Sequence, residues 1–498
     1  MTLTYTISYM LRTASTLASV LAVAAAVGAT PIPNDPFAAP VPAFVGAPAT
    51  PRPTPAPAVP QHPFMAPNGR SNIHDDAYQT DTYVGGGPLG RDPEVLSTQQ
   101  NAECASLTFD SAGRIVTICV GLEGPRLAMF DPVTLDLLAV LPLPPRSAGG
   151  GGVFSDFSGG GYFYLDDQDR AVIPTNSHQI WVVGETTTAL GPAFELVRVY
   201  DLATVVEPTE GIISCLPDWS GLLWFVTVNA LVGTVDPDSG AVQTMRLAGE
   251  AIGNSFAVDE TGGVFIVSDH ALYRFAAGAM REPVVTWREE YDRGARLKPG
   301  QTNFGSGTTP TLMGTRWVAI TDNADPQMHV VVYWRAASID GPRLLCAVPV
   351  FAPGTSATEN SLIGTGDSLL VENNYGYTGP ASVMNGATTE PGVTRIDVHA
   401  DGDCRVRWTS SERVPSTVSK MSLADGLMYA YTKDPGPGST DAWYLTAISF
   451  KTGVTFWKRL VGTGLGYNNN FAPVTLGPDG TTAYVGVLAG LTLVRDTP

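Results

Sequence analysis

The sequence predicts an all-β fold: an eight-bladed β-propeller, with seven blades as the alternative. Three observations carry this. A strand–turn–strand unit recurs eight times at a spacing of roughly 40 to 60 residues, the range in which a sequence period marks propeller blades. Charged residues make up only 15% of the 498, while Gly and Pro supply 53 and 40 positions, a balance that suits short strands and tight turns. Few segments sustain the 3.6-residue period of an amphipathic helix.

In chain order the copies pair 105–109 with 115–119, 162–165 with 171–173, 212–216 with 222–226, and 255–258 with 264–267. The remaining four pair 310–313 with 317–320, 360–363 with 368–371, 419–423 with 427–431, and 472–476 with 482–487. Each starts with a short apolar run, turns at Gly or Asp, and continues in Val, Ile, Leu or aromatic residues that fit a buried, pleated surface. Several copies extend into a third strand ending at an acidic turn, at Asp131, Asp201, Asp236 and Asp397, and the better ones add a fourth. The last copy has only three strands. A strand from Glu94 to Thr98 is expected to complete it, joining the two ends of the chain and removing an open sheet edge.

The propeller is assigned to 94–498, and three segments precede it. Residues 1–29 hold one cation, Arg12, an apolar stretch from 14 to 27 and small residues at 27–29, the layout of a cleaved secretory signal. Residues 30–68 carry a proline about every third position, including Pro51, Pro53, Pro55 and Pro57, and are expected to be an extended, disordered spacer. Residues 69–93 are an irregular lead-in or lid. The protein is therefore expected to be secreted or held in the cell envelope, with no stable membrane insertion after cleavage, and to be a monomer. Cys104 and Cys119 oppose each other across a predicted hairpin, and Cys346 and Cys404 sit late in adjacent repeats, so both pairs are candidate disulfides. No CxxC unit is present. With 29 basic against 47 acidic residues the charge is −18, which argues against nucleic acid as a partner.

The segment Ala447-Ile-Ser-Phe-Lys-Thr-Gly-Val-Thr-Phe-Trp457 resembles the blade motif AxDxxTGxxxW of quinoprotein-type, PQQ-like β-propellers, with Ser449 in place of Asp. In that family the Gly makes the turn and the Trp packs between blades, so the likeness implies a fold more than a cofactor. If it extends to chemistry, it implies Ca²⁺ held by Glu359 or Glu372 with Asn360, Asn373 or Asn374, with Asp322 as general base and PQQ as a testable cofactor.

Blade topology sorts the remaining polar residues. The start of each first strand and the end of each second strand share one face, the mouth of the central channel, and the turns between them lie on the other. Asp-rich turns on the far face are read as structural. The mouth collects Asn254, Thr308, Thr309, Asn323, Asn360, Glu372, Asn373, Asn374, Thr417, Asn469 and Asn470 as candidate ligand-binding residues, with Asp322, Glu359, Lys420, His178 and His270 as candidate acids or bases. His74, Asp75 and Asp76 follow the proline spacer and are expected either to fold over the mouth as a lid or to be a solvated approach to the closing strand. No GxSxG, HExxH, P-loop or EF-hand spacing occurs. The expected function is binding of a small polar molecule or glycan at the mouth. The alternative is an exported enzyme with its active site there, either a PQQ/Ca-dependent dehydrogenase or a cofactor-independent lyase or hydrolase.

Overall fold

The computed structural model describes residues 27–145 and 159–497, together with the backbone of Leu21–Ala22; most of the expected signal segment lies outside the described residues. Eight antiparallel four-stranded blades follow one another along the chain, and N-terminal segments add one strand to the sheet of the second and two to that of the seventh. Their first strands are Ala102–Phe109, Tyr164–Leu165, Ile212–Pro217, Ala257–Val258, Thr311–Met313, Ile363–Thr365, Lys420–Ser422 and Val474–Leu476, for blades 1 to 8. Blade 8 takes its fourth strand from the N-terminal side: Glu94–Gln99 pairs along Gly490–Arg495, with Glu94 opposite Arg495 and Thr98 opposite Leu491. The expected closure is therefore present, one residue longer than the sequence indicated.

The core lies between blades rather than within them. Separate apolar clusters join blade 1 to 2, a larger one joins 2, 3 and 4, and others join 4 to 5, 5 to 6, 6 to 7, 7 to 8 and 8 to 1, so burial itself closes the ring. Inner strands pack on both faces, which is why Leu223–Thr227 and Leu427–Thr432 are buried throughout and read as continuous apolar runs.

The turns on the far face do what their composition implies. Asp218 accepts from the amides of Ser220 and Leu222 and from the Trp224 indole, and Asp259 from the amides of Thr261 and Gly263. In blade 2 the acceptor is Asp166, one residue before the Asp167–Asp169 turn. In the motif of blade 7, Ser449 takes the place of Asp and accepts from Thr452 N at 3.3 Å. Gly453 turns the chain at φ 73°, where a Cβ would lie 2.5 Å from Trp408. Trp457 is buried in the cluster shared by blades 7 and 8.

Both disulfides form. Cys104–Cys119 lies directly across the first hairpin of blade 1, and Cys346–Cys404 ties the fourth strand of blade 5 to the turn before that of blade 6. Cys215 is free and buried. Two disulfides point to an oxidising compartment. Among the described residues, no helix is long and apolar enough to cross a membrane.

The proline-rich stretch departs from the disordered spacer expected of it. It runs extended along the propeller: Phe44–Gly46 adds a strand outside Thr455–Thr463, Arg52 N donates to Asp425 O and Thr54 N to Leu423 O, and Phe44 stacks on Trp457 at 6.3 Å. Proline removes donors from the chain, but the residues between the prolines keep theirs and spend them on blade 7.

Candidate functional site in the central channel

Each first strand exposes one edge to the channel, where its N–H groups have no sheet partner. Residues 70–83 supply partners by curling round the axis. The carbonyls of Arg70, Ser71, Ala77, Tyr78, Thr80, Asp81 and Tyr83 accept hydrogen bonds from the amides of Phe109, Leu165, Val258, Leu312, Gly364, Met421 and Leu423. Six blades are thus satisfied by one short segment. Asp75, Gln79 and Asp81 have φ of 76°, 58° and 55°, and Asp is among the residues that adopt this left-handed conformation most readily. The expectation of a lid over the mouth is corrected here. His74, Asp75 and Asp76 do reach the channel, but they are buried inside it, because the carbonyls on either side of them cap the inner edges of the blades.

On the mouth side of this plug lies a cavity of about 70 Å³. Ile73 and His74 form its floor, and Ser106, Tyr162, Asn254, Glu359, Asn360, Ser361, Val418, Asn470 and Phe471 line it. Ser106 reaches it from a bulge in the first strand of blade 1, where φ is 58° and the register shifts.

Two lining residues carry buried oxygens without a hydrogen-bond partner, Glu359 Oε2 and Asn360 Oδ1. Glu359 Oε1 accepts from the Thr302 hydroxyl, and burial pushes the carboxyl up to about 8. Asn360 Nδ2 donates to Glu372 and, at 2.8 Å, to Thr417 O. Glu372 stands one layer behind, accepting from Ser419 N at 3.1 Å, and burial raises it to about 7. Asn254 makes only long contacts, to Tyr162 Oη at 3.4 Å and Ser306 O at 3.5 Å. Among the described residues, no Lys or Arg lines the cavity.

Below the floor, Lys420 Nζ contacts Asp81 Oδ1 at 2.5 Å and Asp75 Oδ2 at 3.3 Å, with His74 Nδ1 3.0 Å from Asp81. Burial alone would raise Asp81, but the charges of His74 and Lys420 outweigh it and hold that carboxyl below the usual range. Asp75 goes the other way, pushed by burial up to about 8. Asp76, raised by burial to about 7, makes a local turn with the Thr80 amide and hydroxyl.

The structure therefore brings Asn254, Glu359, Asn360, Asn470 and His74 to one cavity, with Glu372, Thr417 and Lys420 immediately behind. Thr309 N donates to Ser361 Oγ, and Thr308 Oγ1 accepts from Thr321 N, so both frame the wall. The other candidates serve the loops. Asn373 and Asn374 bind backbone or neighbouring loop groups through both ends of their amides, Asn469 is held by Ser416, Ala472 and Gly486, and Asn323 Nδ2 by Arg293 O and Arg296 O. Asp322 pairs with His329 at 2.8 Å, His270 with Asp269 and Arg293, and His178 sits in a turn at φ 59°, all between second and third strands and outside the cavity. Asp81 and Tyr162 escaped the sequence reading. Asp81 continues the same polar segment as Asp75 and was legible on that ground, whereas Tyr162 reads as an ordinary strand residue.

The residues implied as a Ca²⁺ set do not fit that ion, since Asn373 and Asn374 have no oxygen to spare and, among the described residues, no three His, Cys, Asp or Glu are grouped to hold a metal. The cavity is also far below the roughly 300–1,000 Å³ of pockets for drug-sized ligands, and PQQ, a tricyclic anion, would meet no Lys or Arg among the described residues of its lining.

No family model matches the chain. An uncharacterised protein of Archaeoglobus fulgidus is 30% identical over 335 residues, 60% of this chain and 63% of that protein, so the chain spans less than two thirds of this relative. A chain of the mitotic checkpoint complex aligns over 66% of this chain and 87% of its own length, with 10% identity and a TM-score of 0.39. A functionally unknown protein from Desulfotomaculum acetoxidans DSM 771 aligns over 75% and 96%, with 12% identity and the same TM-score.

Proposed function

We propose that this propeller binds a small ammonium compound, of methylamine or ethanolamine size, in its axial cavity. The observation that carries the reading is the pair of buried oxygens without partners, Glu359 Oε2 and Asn360 Oδ1, on two residues that line a cavity in which no Lys or Arg is found among the described residues. Buried acceptors left unmatched cost about 1–3 kcal/mol each, which a donor-rich cation recovers. Tyr162 and Phe471 add aromatic surface that favours a cation. A cation also lowers the pKa of Glu359, converting a neutral acid into an ion pair. The volume favours a ligand of a few heavy atoms over a glycan.

The quinoprotein likeness is retained at the level of blade layout, without its cofactor. With two disulfides present, we propose an exported protein. A carboxyl poised near pH 8 also suits proton transfer, so the second reading is an enzyme that uses Glu359 as acid or base on the bound amine.

The test is a thermal-shift panel of methylammonium, ethanolamine, glycerol and acetate. Selective stabilisation by the two amines supports the proposal; stabilisation by acetate or glycerol alone contradicts it.

A further inference from the structure

The cluster below the cavity floor carries a second assignment, independent of any ligand. Lys420 belongs to the innermost strand of blade 7 and Asp81 to the axial segment, 339 positions away, and both side chains are fully buried. Nζ lies 2.5 Å from Asp81 Oδ1 and 3.3 Å from Asp75 Oδ2, and it is aimed by a further hydrogen bond to Ile73 O. His74 Nδ1 approaches both Asp81 oxygens, at 3.0 and 3.1 Å. It must carry the proton, because carboxylate oxygens only accept. Asp75 Oδ2 makes no hydrogen bond of good geometry and lies 3.3 Å from the lysine, while the carboxyl also interacts with the buried Tyr83 hydroxyl.

An amine, a carboxyl and a second carboxyl, in contact and away from water, are the groups that amide formation requires. We propose that Lys420 and Asp81 condense into an intramolecular amide, with Asp75 transferring the protons, so that the axial segment is covalently fastened to blade 7. The ammonium first passes a proton to Asp81 within the pair, leaving a neutral amine and a neutral acid. Nζ then attacks Cγ of Asp81, forming the N–C bond, while His74 Nδ1–H stabilises the oxygen that gains charge. Asp75 gives its proton to the departing hydroxyl, which leaves as water, and takes one proton from Nζ. The products are one secondary amide and one water, with no change of oxidation state and with Asp75 restored. Two features favour the step. Burial keeps Asp75 protonated near neutrality, and fixed contact replaces a bimolecular encounter with an intramolecular one.

Mass spectrometry of the full purified chain, with both disulfides reduced, decides the matter. The expected result is a protein lighter by one water, with a proteolytic fragment in which the Lys420 peptide is joined to the Asp81 peptide. Asp75→Asn, which keeps the shape of the side chain but cannot supply the acid, is expected to show full mass and separate peptides. Wild-type protein of full mass, or a missing water that maps elsewhere, overturns the proposal. Complete cross-linking in Asp75→Asn overturns the role given to Asp75. Should that variant fail to fold, the wild-type peptide map still gives the answer.

Discussion

Replacing Glu359 with Gln should remove a pH dependence of stability that the cavity imposes. Gln keeps the size of the side chain and its reach to Thr302, but it does not titrate. In the wild type, burial raises the Glu359 carboxyl from 4.5 to about 8. The folded state therefore holds a proton that the unfolded state has released, so stability is greatest below the unfolded pKa and falls as pH rises toward 8. The loss is about 1.4 kcal/mol per pH unit, or about 4 kcal/mol between pH 5 and pH 8. For the roughly 460 residues described, the entropy of unfolding is about 1 kcal/mol per kelvin, so this corresponds to about 4 °C in Tm. Glu372, Asp75 and Asp76 are also raised by burial, but they are present in both proteins and cancel in the difference. Differential scanning calorimetry at pH 5, 6, 7 and 8 should show Glu359→Gln gaining on the wild type by about 4 °C across that range. Parallel curves for the two proteins would refute the buried, protonated state assigned to Glu359.

Three other outcomes are expected. Lys420→Met, which can form neither the amide nor the ion pair that precedes it, leaves Asp81 as a buried carboxyl without a cation and should destabilise the propeller by at least about 3–5 kcal/mol, read as a lower midpoint in urea, whereas an exposed lysine such as Lys451 changed in the same way should have little effect. Removing the disulfides by paired Cys→Ser changes should cost about 3 kcal/mol for Cys104–Cys119 and about 4 for Cys346–Cys404, following their separations of 15 and 58 residues. Gly307→Ala should disturb the cavity wall, because a Cβ there would lie 2.3 Å from Thr358 O and 2.8 Å from Glu359, and should weaken amine binding more than it lowers Tm.

Much of the fold was legible because a propeller repeats its own signal. Eight strand–turn–strand copies, Asp at the turns and a missing fourth strand at the C-terminus together specify the ring and the role of Glu94–Gln99. The Cys104–Cys119 disulfide was legible for the same reason, since hairpin register fixes which residues face each other, whereas Cys346 and Cys404 were legible only as cysteines late in adjacent repeats. What was not legible depends on satisfaction of backbone groups across long sequence distances. Nothing in the composition of 31–67 says that the amides between prolines will dock on blade 7, and nothing in His74-Asp-Asp76 says that the carbonyls around it will cap the inner strands. The candidate site was half legible. Topology delivered Glu359, Asn360, Asn254 and Asn470 to one face, but it could not tell an Asn that caps a loop, such as Asn373 or Asn374, from one that lines the cavity and leaves its oxygen without a partner, such as Asn360.

Calorimetric titration of the wild type and Glu359→Gln with methylammonium between pH 6 and pH 9 tests the account most directly. Because an ammonium needs the ionised carboxylate, wild-type affinity should rise about tenfold per pH unit below 8 and level off above it, with protons released on binding, and Glu359→Gln should bind weakly at every pH. No binding by the wild type, or equal, pH-independent binding by both proteins, would contradict it.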